Sequence, residues 1–142
     1  MSDTKTTDSK SVPDVKELQV KLTDLAIQLG KHYKVVLDYS VQSIDNVETV
    51  LAKISDEYRK TKNEEGIKGM ALEMAAYIIT VIEKNILKGA WSRDSEEMGK
   101  DSFPYELGDG KVIFPYAWCL KRIYDGEGED IVSKFKTLVS SK

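Results

Sequence analysis

The sequence has almost none of the side chains on which metal sites and nucleophilic catalysis depend. Its 142 residues include one cysteine, Cys119, and one histidine, His32. A zinc site needs several such side chains at short spacing, and the sequence does not offer them. The acidic stretch at residues 125–130 could form a carboxylate-only Ca²⁺ or Mg²⁺ site, but it lacks the ligand spacing of an EF-hand loop and we interpret it as a solvated turn. We therefore predict no metal site. A Ser-His-Asp or Cys-His system would have to use His32, and no Gly-x-Ser-x-Gly elbow is present. We therefore predict no catalytic residue of these types.

The sequence also lacks the marks of phosphate-bearing and nucleic-acid ligands. Gly-x-Gly occurs at residues 108–110 and 126–128, but neither pair belongs to a dinucleotide or P-loop fingerprint. The formal net charge is −3, so there is no basic surplus to attract DNA, RNA or anionic lipid. We predict no cofactor, no nucleic-acid partner and no membrane partner.

A single cysteine excludes an internal disulfide, which fits a reducing compartment. Residues 1–10 are polar and lack the apolar segment of a secretory signal. The longest apolar-rich stretch, residues 70–82, is about 13 residues long, whereas a membrane span needs roughly 20. We expect a soluble, cytoplasmic protein.

Apolar residues recur at helical spacing from residue 13 onwards. Residues 1–12 are polar and have no such period, so they predict a disordered tail before a single domain over residues 13–142. Pro13 suits the first turn of a helix, and Gly30 is its predicted stop. The predicted apolar face consists of Val15, Leu18, Leu22, Leu25, Ala26 and Leu29.

Two more helices are predicted in the first two-thirds of the chain. Residues 33–37 form either a buried strand or an extended connector, and their short apolar run does not distinguish the two. Asp38 or Ser40 then caps a second helix. A third helix, over residues 64–86, is apolar around so much of its surface that we predict it to be the core helix.

Seven of the twelve aromatic residues fall between Trp91 and Tyr124, a region we call the aromatic insert. Residues 105–107 and 111–114 flank Gly108-Asp109-Gly110, which predicts an antiparallel hairpin, and Trp91 is a candidate third strand. Pro115 opens a fourth helix. The last helix is predicted to face inward through Ile131, Phe135, Leu138 and Val139. The fold class is therefore α+β, with about five helices around a central helix and a short hairpin.

Several short motifs resemble a domain family that is widespread among uncharacterised bacterial proteins. The family pattern is Leu-Asp-x-Ser, then Ala-Tyr-Leu-Gly-Glu running into Gly-Gly-x-Trp, then a proline followed by Lys-Arg and Gly-x-x-Asp. The matching stretches lie within residues 35–139 and are Leu37–Ser40, Ala76–Thr80, Lys88–Trp91, and Pro115 through Lys121-Arg122 to Gly126 and Asp130. Ile79-Thr80 replaces the Gly-Glu pair. The resemblance implies a bacterial source and no established activity.

Arg122 is the most informative charged residue of the aromatic insert. On a helix it shares a face with Trp118, four residues earlier, so its guanidinium could stack on that ring or bind a carboxylate. One interpretation is an internal ion pair or a capping contact. The other is a hot spot for an anion or a partner, since Trp, Tyr and Arg dominate such surfaces.

Two functional hypotheses remain, and the oligomeric state is open under both. We favour a non-enzymatic protein–protein interaction domain, comparable to immunity or adaptor proteins. It would use an exposed patch that includes Trp91, Tyr105, Tyr116 or Trp118. If these rings are buried, they form a second small core instead.

The alternative is a small-molecule binder, or an enzyme of unfamiliar type, with a site between the hairpin and the core helix. Glu83, Arg122 and Asp130 would form that site beside Trp91. An apolar surrounding could raise the pKa of a carboxyl group on the core helix, such as Glu73 or Glu83.

Overall fold

A computed structural model describes residues 11–141, with side chains from residue 15. Among these residues are five α-helices, which we number α1 to α5, and three short strands, β1 to β3. The helices are Ser11–His32, Ile44–Thr61, Ile67–Asn85, Pro115–Asp125 and Ile131–Ser140. The strands are Gly89–Trp91, Tyr105–Leu107 and Val112–Ile113. Short 3-10 turns at Val41–Ser43 and Glu127–Glu129 lead towards α2 and α5.

Helix α3 is the central element, as its apolar composition predicts. It packs against α1 on one side and against α4 on another, and it also contacts α2. Its buried residues are Ile67, Ala71, Met74, Ala75, Ala76, Tyr77, Ile78, Ile79, Val81 and Ile82. The alanines among them let the neighbouring backbones approach closely, and the larger side chains fill the core on either side.

Helix α1 differs in three ways from its prediction. Leu25, which is predicted on its apolar face, is 45% exposed. The helix begins at Ser11, so most of the predicted tail lies outside the described residues. It continues through Gly30 to His32, and Gly30 is therefore not its stop. A side chain at Gly30 would contact Leu37 closely, so glycine gives room for the following segment, which folds back against the helix. That segment, residues 33–37, is a connector and not a strand.

The strands form a three-stranded antiparallel sheet in the order β1-β2-β3. Trp91 pairs with Tyr105, and Tyr105 with Ile113, so one face of the sheet is buried while Glu106 and Val112 face outward. The predicted hairpin is confirmed: residues 108–110 form its three-residue turn, with a hydrogen bond from the Gly110 amide to the Leu107 carbonyl. No helix of the described chain is both long enough and apolar enough to cross a membrane.

The two C-terminal helices follow their predicted boundaries closely. Pro115 opens α4, and Gly126, with φ of 96°, ends it in a conformation that side-chain-bearing residues rarely adopt. Asp130 caps α5 by accepting a hydrogen bond from the Val132 amide. The prediction that Val139 faces inward is wrong, since its side chain is 38% exposed and the core is reached by Ile131, Phe135 and Leu138.

Candidate functional site

The aromatic insert is mostly a local core. Trp91 is 8% exposed and Tyr105 is fully buried, whereas Tyr116 and Trp118 are partly covered against the same core. Rings of Trp91 and Phe103 lie 5.4 Å apart, and rings of Phe103 and Tyr116 lie 5.5 Å apart. The Trp91 indole donates to the Phe103 carbonyl. The four rings therefore do not form one exposed aromatic patch.

Arg122 is a structural residue in this fold. Its side chain is buried, and its Nε donates to the Glu48 carboxylate on α2 at 2.6 Å. The other Glu48 oxygen accepts from the Ile131 amide, so this pair joins α2, α4 and the start of α5. Burial raises the pKa of Glu48, and the hydrogen bond and charge of Arg122 offset part of that rise. Of the interactions considered for Arg122, the ion pair forms, and the described chain has no stacking of Arg122 on Trp118.

The remaining predicted residues lie in different places. Arg122 and Asp130 line an open groove beside α2, and Trp118 lines a second groove next to α5. Glu83 lies on the other side of α3, facing α1. Of the predicted charged residues, Glu83 alone lies beside Trp91, in a recess between α1 and β1. Five of the seven predicted residues are therefore divided among three surfaces, while Tyr105 is buried in the core and Tyr116 lines none of these grooves.

A recess lies between α1 and α3, and we call it the α1–α3 cleft. Its volume is about 540 Å³, within the range of small-molecule sites. The lining side chains are Lys16, Gln19, Val20, Thr23, Asp24, Tyr39, Thr80, Glu83, Lys84 and Lys88. A smaller recess of about 370 Å³ adjoins it towards Trp91 and shares Lys16, Gln19 and Glu83.

The floor of the cleft is a polar contact between two helices. Gln19 on α1 donates from its amide nitrogen to the Thr80 hydroxyl and to the Glu83 carboxylate, both at 3.0 Å. Thr23 donates to the Gln19 carbonyl and Thr80 to the Ala76 carbonyl. Each hydroxyl proton is therefore used in a hydrogen bond within its own helix. Both amide hydrogens of Gln19 are used, and no described residue donates to its side-chain oxygen, which remains an acceptor.

Glu83 has a second polar neighbour behind it. Tyr105 is fully buried, and its hydroxyl points towards Glu83 and the Gly89 backbone without reaching full hydrogen-bond geometry with either. Burial, followed by the charge of Glu83, raises the pKa of Tyr105, so this hydroxyl keeps its proton. A side chain at Gly89 would collide with the backbone oxygen of Glu106, so glycine is required where β1 passes beneath the cleft.

One wall of the cleft is the Tyr39 ring, which is held at a fixed position. The Tyr39 amide donates to the Tyr77 hydroxyl at 2.8 Å, and Asn85 donates to the Tyr39 carbonyl at 2.8 Å. Since Ser43 donates to the Ser40 carbonyl, the Tyr77 proton must go to Ser43, 2.6 Å away. The Tyr39 and Tyr77 rings stack at 5.5 Å.

Sequence reasoning missed Gln19 and Thr23. Both lie between apolar positions on the buried face of α1, and both are themselves buried. Their signal was an interruption by polar side chains of an otherwise apolar stripe. Asp38 and Ser40 were predicted as caps, and Ser40 does accept the Ser43 amide at the turn before α2. The Cys119 thiol is in the core, where burial raises its pKa.

Comparisons with protein-family models, with curated proteins and with solved structures returned no match for this chain. The resemblance over residues 35–139 therefore stays a prediction. In the structure, two of its stretches meet, because Tyr39 lies against Tyr77. Thr80, which stands where the family pattern has Glu, lies on the cleft floor one turn before Glu83. No group of His, Cys, Asp and Glu within the described residues is arranged to hold a metal ion.

Proposed function

We propose that this protein is a non-enzymatic binding protein that holds a small polar molecule in the α1–α3 cleft. The observation that carries this proposal is the polar floor, where Gln19, Thr80 and Glu83 meet beneath an accessible recess. It develops the small-molecule alternative raised by the sequence. The site it names is bounded by α1, α3 and the Tyr39 ring.

The physical argument starts from the cost of burying polar groups. An apolar contact between α1 and α3 would stabilise the fold without any need for matched partners, whereas buried amide and hydroxyl groups must be hydrogen-bonded. Gln19 and Thr23 meet this requirement, but Glu83 still has room for further donors and Gln19 has an unused acceptor. Such groups at the base of a concave surface are suited to orienting a ligand.

Binding fits the chemistry of the cleft better than catalysis does. Its lining includes no histidine and no cysteine. Tyr105, behind Glu83, keeps its proton because burial and a nearby carboxylate raise its pKa. We place this activity in the cytoplasm, on the support of a single, buried cysteine.

The experiment that tests the proposal blocks the cleft without disturbing the core. Val20 lines the cleft and is 62% exposed, so Val20→Trp should fill the recess while the protein still folds. Val36→Trp is the matched control, because Val36 is 70% exposed and lies outside the cleft. A fragment library is screened by chemical-shift mapping of backbone amides.

We expect fragments that shift the amides of α1 and α3 in the wild type and in Val36→Trp, and that fail to do so in Val20→Trp. Fragments that bind all three proteins equally, or that shift residues elsewhere, would contradict the proposal. Circular dichroism and unfolding midpoints of both variants check that neither substitution has changed the fold.

A second candidate is the protein–protein interaction first favoured from the sequence, in an adaptor- or immunity-like role. One observation favours it: partly exposed Trp118 lines a groove of about 460 Å³ with Lys111, Lys121 and Lys134. Glu129 pairs with Lys134 at 2.8 Å, and Lys121 forms no salt bridge with a described residue. Such a groove suits an acidic partner segment with an apolar anchor.

This second candidate is tested by crosslinking in native cells. Lys121→Glu should remove a specific crosslinked partner, because it reverses a charge at the groove. Lys60→Glu, an exposed lysine on α2, is the control and should leave the same partner in place. Equal recovery of the partner with both variants would rule out this groove as its binding surface.

A further inference from the structure

We infer that the ligand of the α1–α3 cleft is a small zwitterion, with an amine cation that binds Glu83 and an anionic group that binds the lysines at the rim. This inference rests on the proposed function and adds the chemical class of the ligand. It is carried by two sets of charges within one recess, neither of which forms a salt bridge with a described residue.

Glu83 is the cation-binding end. Its carboxylate is partly buried and receives one hydrogen bond, from the neutral amide of Gln19. No lysine or arginine of the described chain forms a salt bridge with it. An ionised carboxylate withdrawn from water gains from a cationic partner, and an ammonium group brings several donors to its remaining lone pairs.

Three lysines form the anion-binding end. Lys16, Lys84 and Lys88 all line the cleft, and no salt bridge within the described residues involves any of them. The Lys84 ammonium lies 5.2 Å from the centre of the Tyr39 ring, which holds it over the cleft wall. Neighbouring like charges repel one another, and a bound carboxylate or phosphate removes that repulsion.

Ligands with a single charge fit less well. A simple anion would bring its charge near Glu83 and Asp24, and a simple cation would meet the three lysines. The contacts between Gln19 and Glu83 and between Thr23 and Thr80 show that α1 and α3 run antiparallel. Lys16 and Asp24, eight residues apart on α1, are therefore separated by roughly 12 Å along the cleft, and Glu83 lies opposite Gln19, between them. Opposite charges at different points along its length suit a ligand that carries both.

The test compares matched ligands by isothermal titration calorimetry. Two zwitterions, 4-aminobutyrate and 6-aminohexanoate, are each compared with the carboxylate and the amine of the same chain length. We expect at least one zwitterion to bind about tenfold more tightly than both of its singly charged analogues. The Glu83→Gln variant should lose most of the advantage over the carboxylate, because its amide keeps the bond from Gln19 but loses the charge.

Two control variants lie on the same helix. Glu73→Gln changes a partly buried carboxylate that does not line the cleft, and Lys68→Met changes an exposed lysine outside it. Both should bind the zwitterion as the wild type does, whereas Lys84→Met should weaken binding of the carboxylate and the zwitterion but not of the amine.

Four outcomes overturn the inference. The first is that both zwitterions bind no more tightly than their singly charged analogues, and the second is an unchanged preference in Glu83→Gln. If neither zwitterion binds while other fragments bind in a manner sensitive to Val20→Trp, the ligand class is wrong and the proposed function stands. If no fragment binds in a manner sensitive to Val20→Trp, both the inference and the proposed function are wrong.

Discussion

Arg122 on α4 and Glu83 on α3 are each held by one side chain from a neighbouring helix, yet their charges are treated differently. Arg122 meets Glu48, so two opposite charges neutralise each other beside an open groove, with the Arg122 side chain 4% and the Glu48 side chain 21% exposed. Glu83 accepts a hydrogen bond from Gln19, whose side chain carries no charge. In the first contact, the Ile131 amide at the start of α5 also donates to the other Glu48 oxygen. The second lies at the base of the α1–α3 cleft.

The difference indicates which polar contact serves the fold and which remains available to a ligand. A buried ion pair is costly to form and costly to break, so its two partners are fixed together. A carboxylate held only by a neutral amide keeps its charge and most of its lone pairs for another group. Two residues that are similar candidates in the sequence therefore have different roles.

The largest effect is expected at the contact between Arg122 and Glu48. Arg122→Met should lower the free energy of unfolding by about 3 kcal/mol at neutral pH, because it leaves Glu48 without its counter-charge. Urea unfolding measures this loss. The loss should shrink as the pH falls, since burial already raises the pKa of Glu48 and a protonated carboxyl needs no counter-charge.

Gln19→Met is the corresponding change at the contact between Gln19 and Glu83. It removes two hydrogen bonds but leaves Glu83 facing an accessible cleft, so the loss should be about 1 kcal/mol. If Gln19→Met destabilises the protein as strongly as Arg122→Met, the distinction between the two contacts is wrong.

A second comparison uses two fully buried tyrosines near the cleft. The Tyr77 hydroxyl accepts from the Tyr39 amide and donates to Ser43, so Tyr77→Phe should cost about 2 kcal/mol. The Tyr105 hydroxyl makes no full hydrogen bond, so Tyr105→Phe should change the stability by less than about 1 kcal/mol. Thermal unfolding of the two variants side by side decides this. Equal losses would mean that the Tyr105 hydroxyl is satisfied in the folded protein.

The smallest change in stability is expected at Glu73, where the burial of a carboxylate can be tested alone. Burial raises the pKa of Glu73 above its ordinary value of 4.5, and a raised pKa means that stability is lost as the pH rises through the folded-state value. Glu73→Gln cannot titrate, so it should be more stable than the wild type at neutral pH. Its advantage should vanish in acid, where Glu73 is protonated in both the folded and unfolded states. An advantage that persists in acid would point to a cause other than charge burial.

Local patterns in the sequence predicted most of the fold. The apolar girth of residues 64–86 predicted a central helix, and Gly108-Asp109-Gly110 predicted the hairpin turn; both are confirmed. Gly30 was misread as a stop because a glycine that ends a helix and one that admits a neighbouring side chain look alike in sequence. Its role depends on Leu37, which reaches it only in the folded protein.

The candidate site was predicted less well, for a related reason. Glu83 and Trp91 were predicted near one another and do border the same recess. Gln19, which contributes to the cleft floor, lies on α1, 64 residues before Glu83 in the sequence. Glu48 is 74 residues from Arg122, so periodicity along one helix could not identify it as the partner.

The sequence by itself determined the position of most helices and strands, because those depend on periodicity, caps and turns within a few neighbouring residues. It also determined that there is a single thiol and a single imidazole to place. Only the tertiary structure decided which charges are neutralised. That outcome depends on which side chains from distant segments come within hydrogen-bond distance and on how much water remains around them. In this protein it pairs Arg122 with Glu48 and leaves Glu83 facing the cleft.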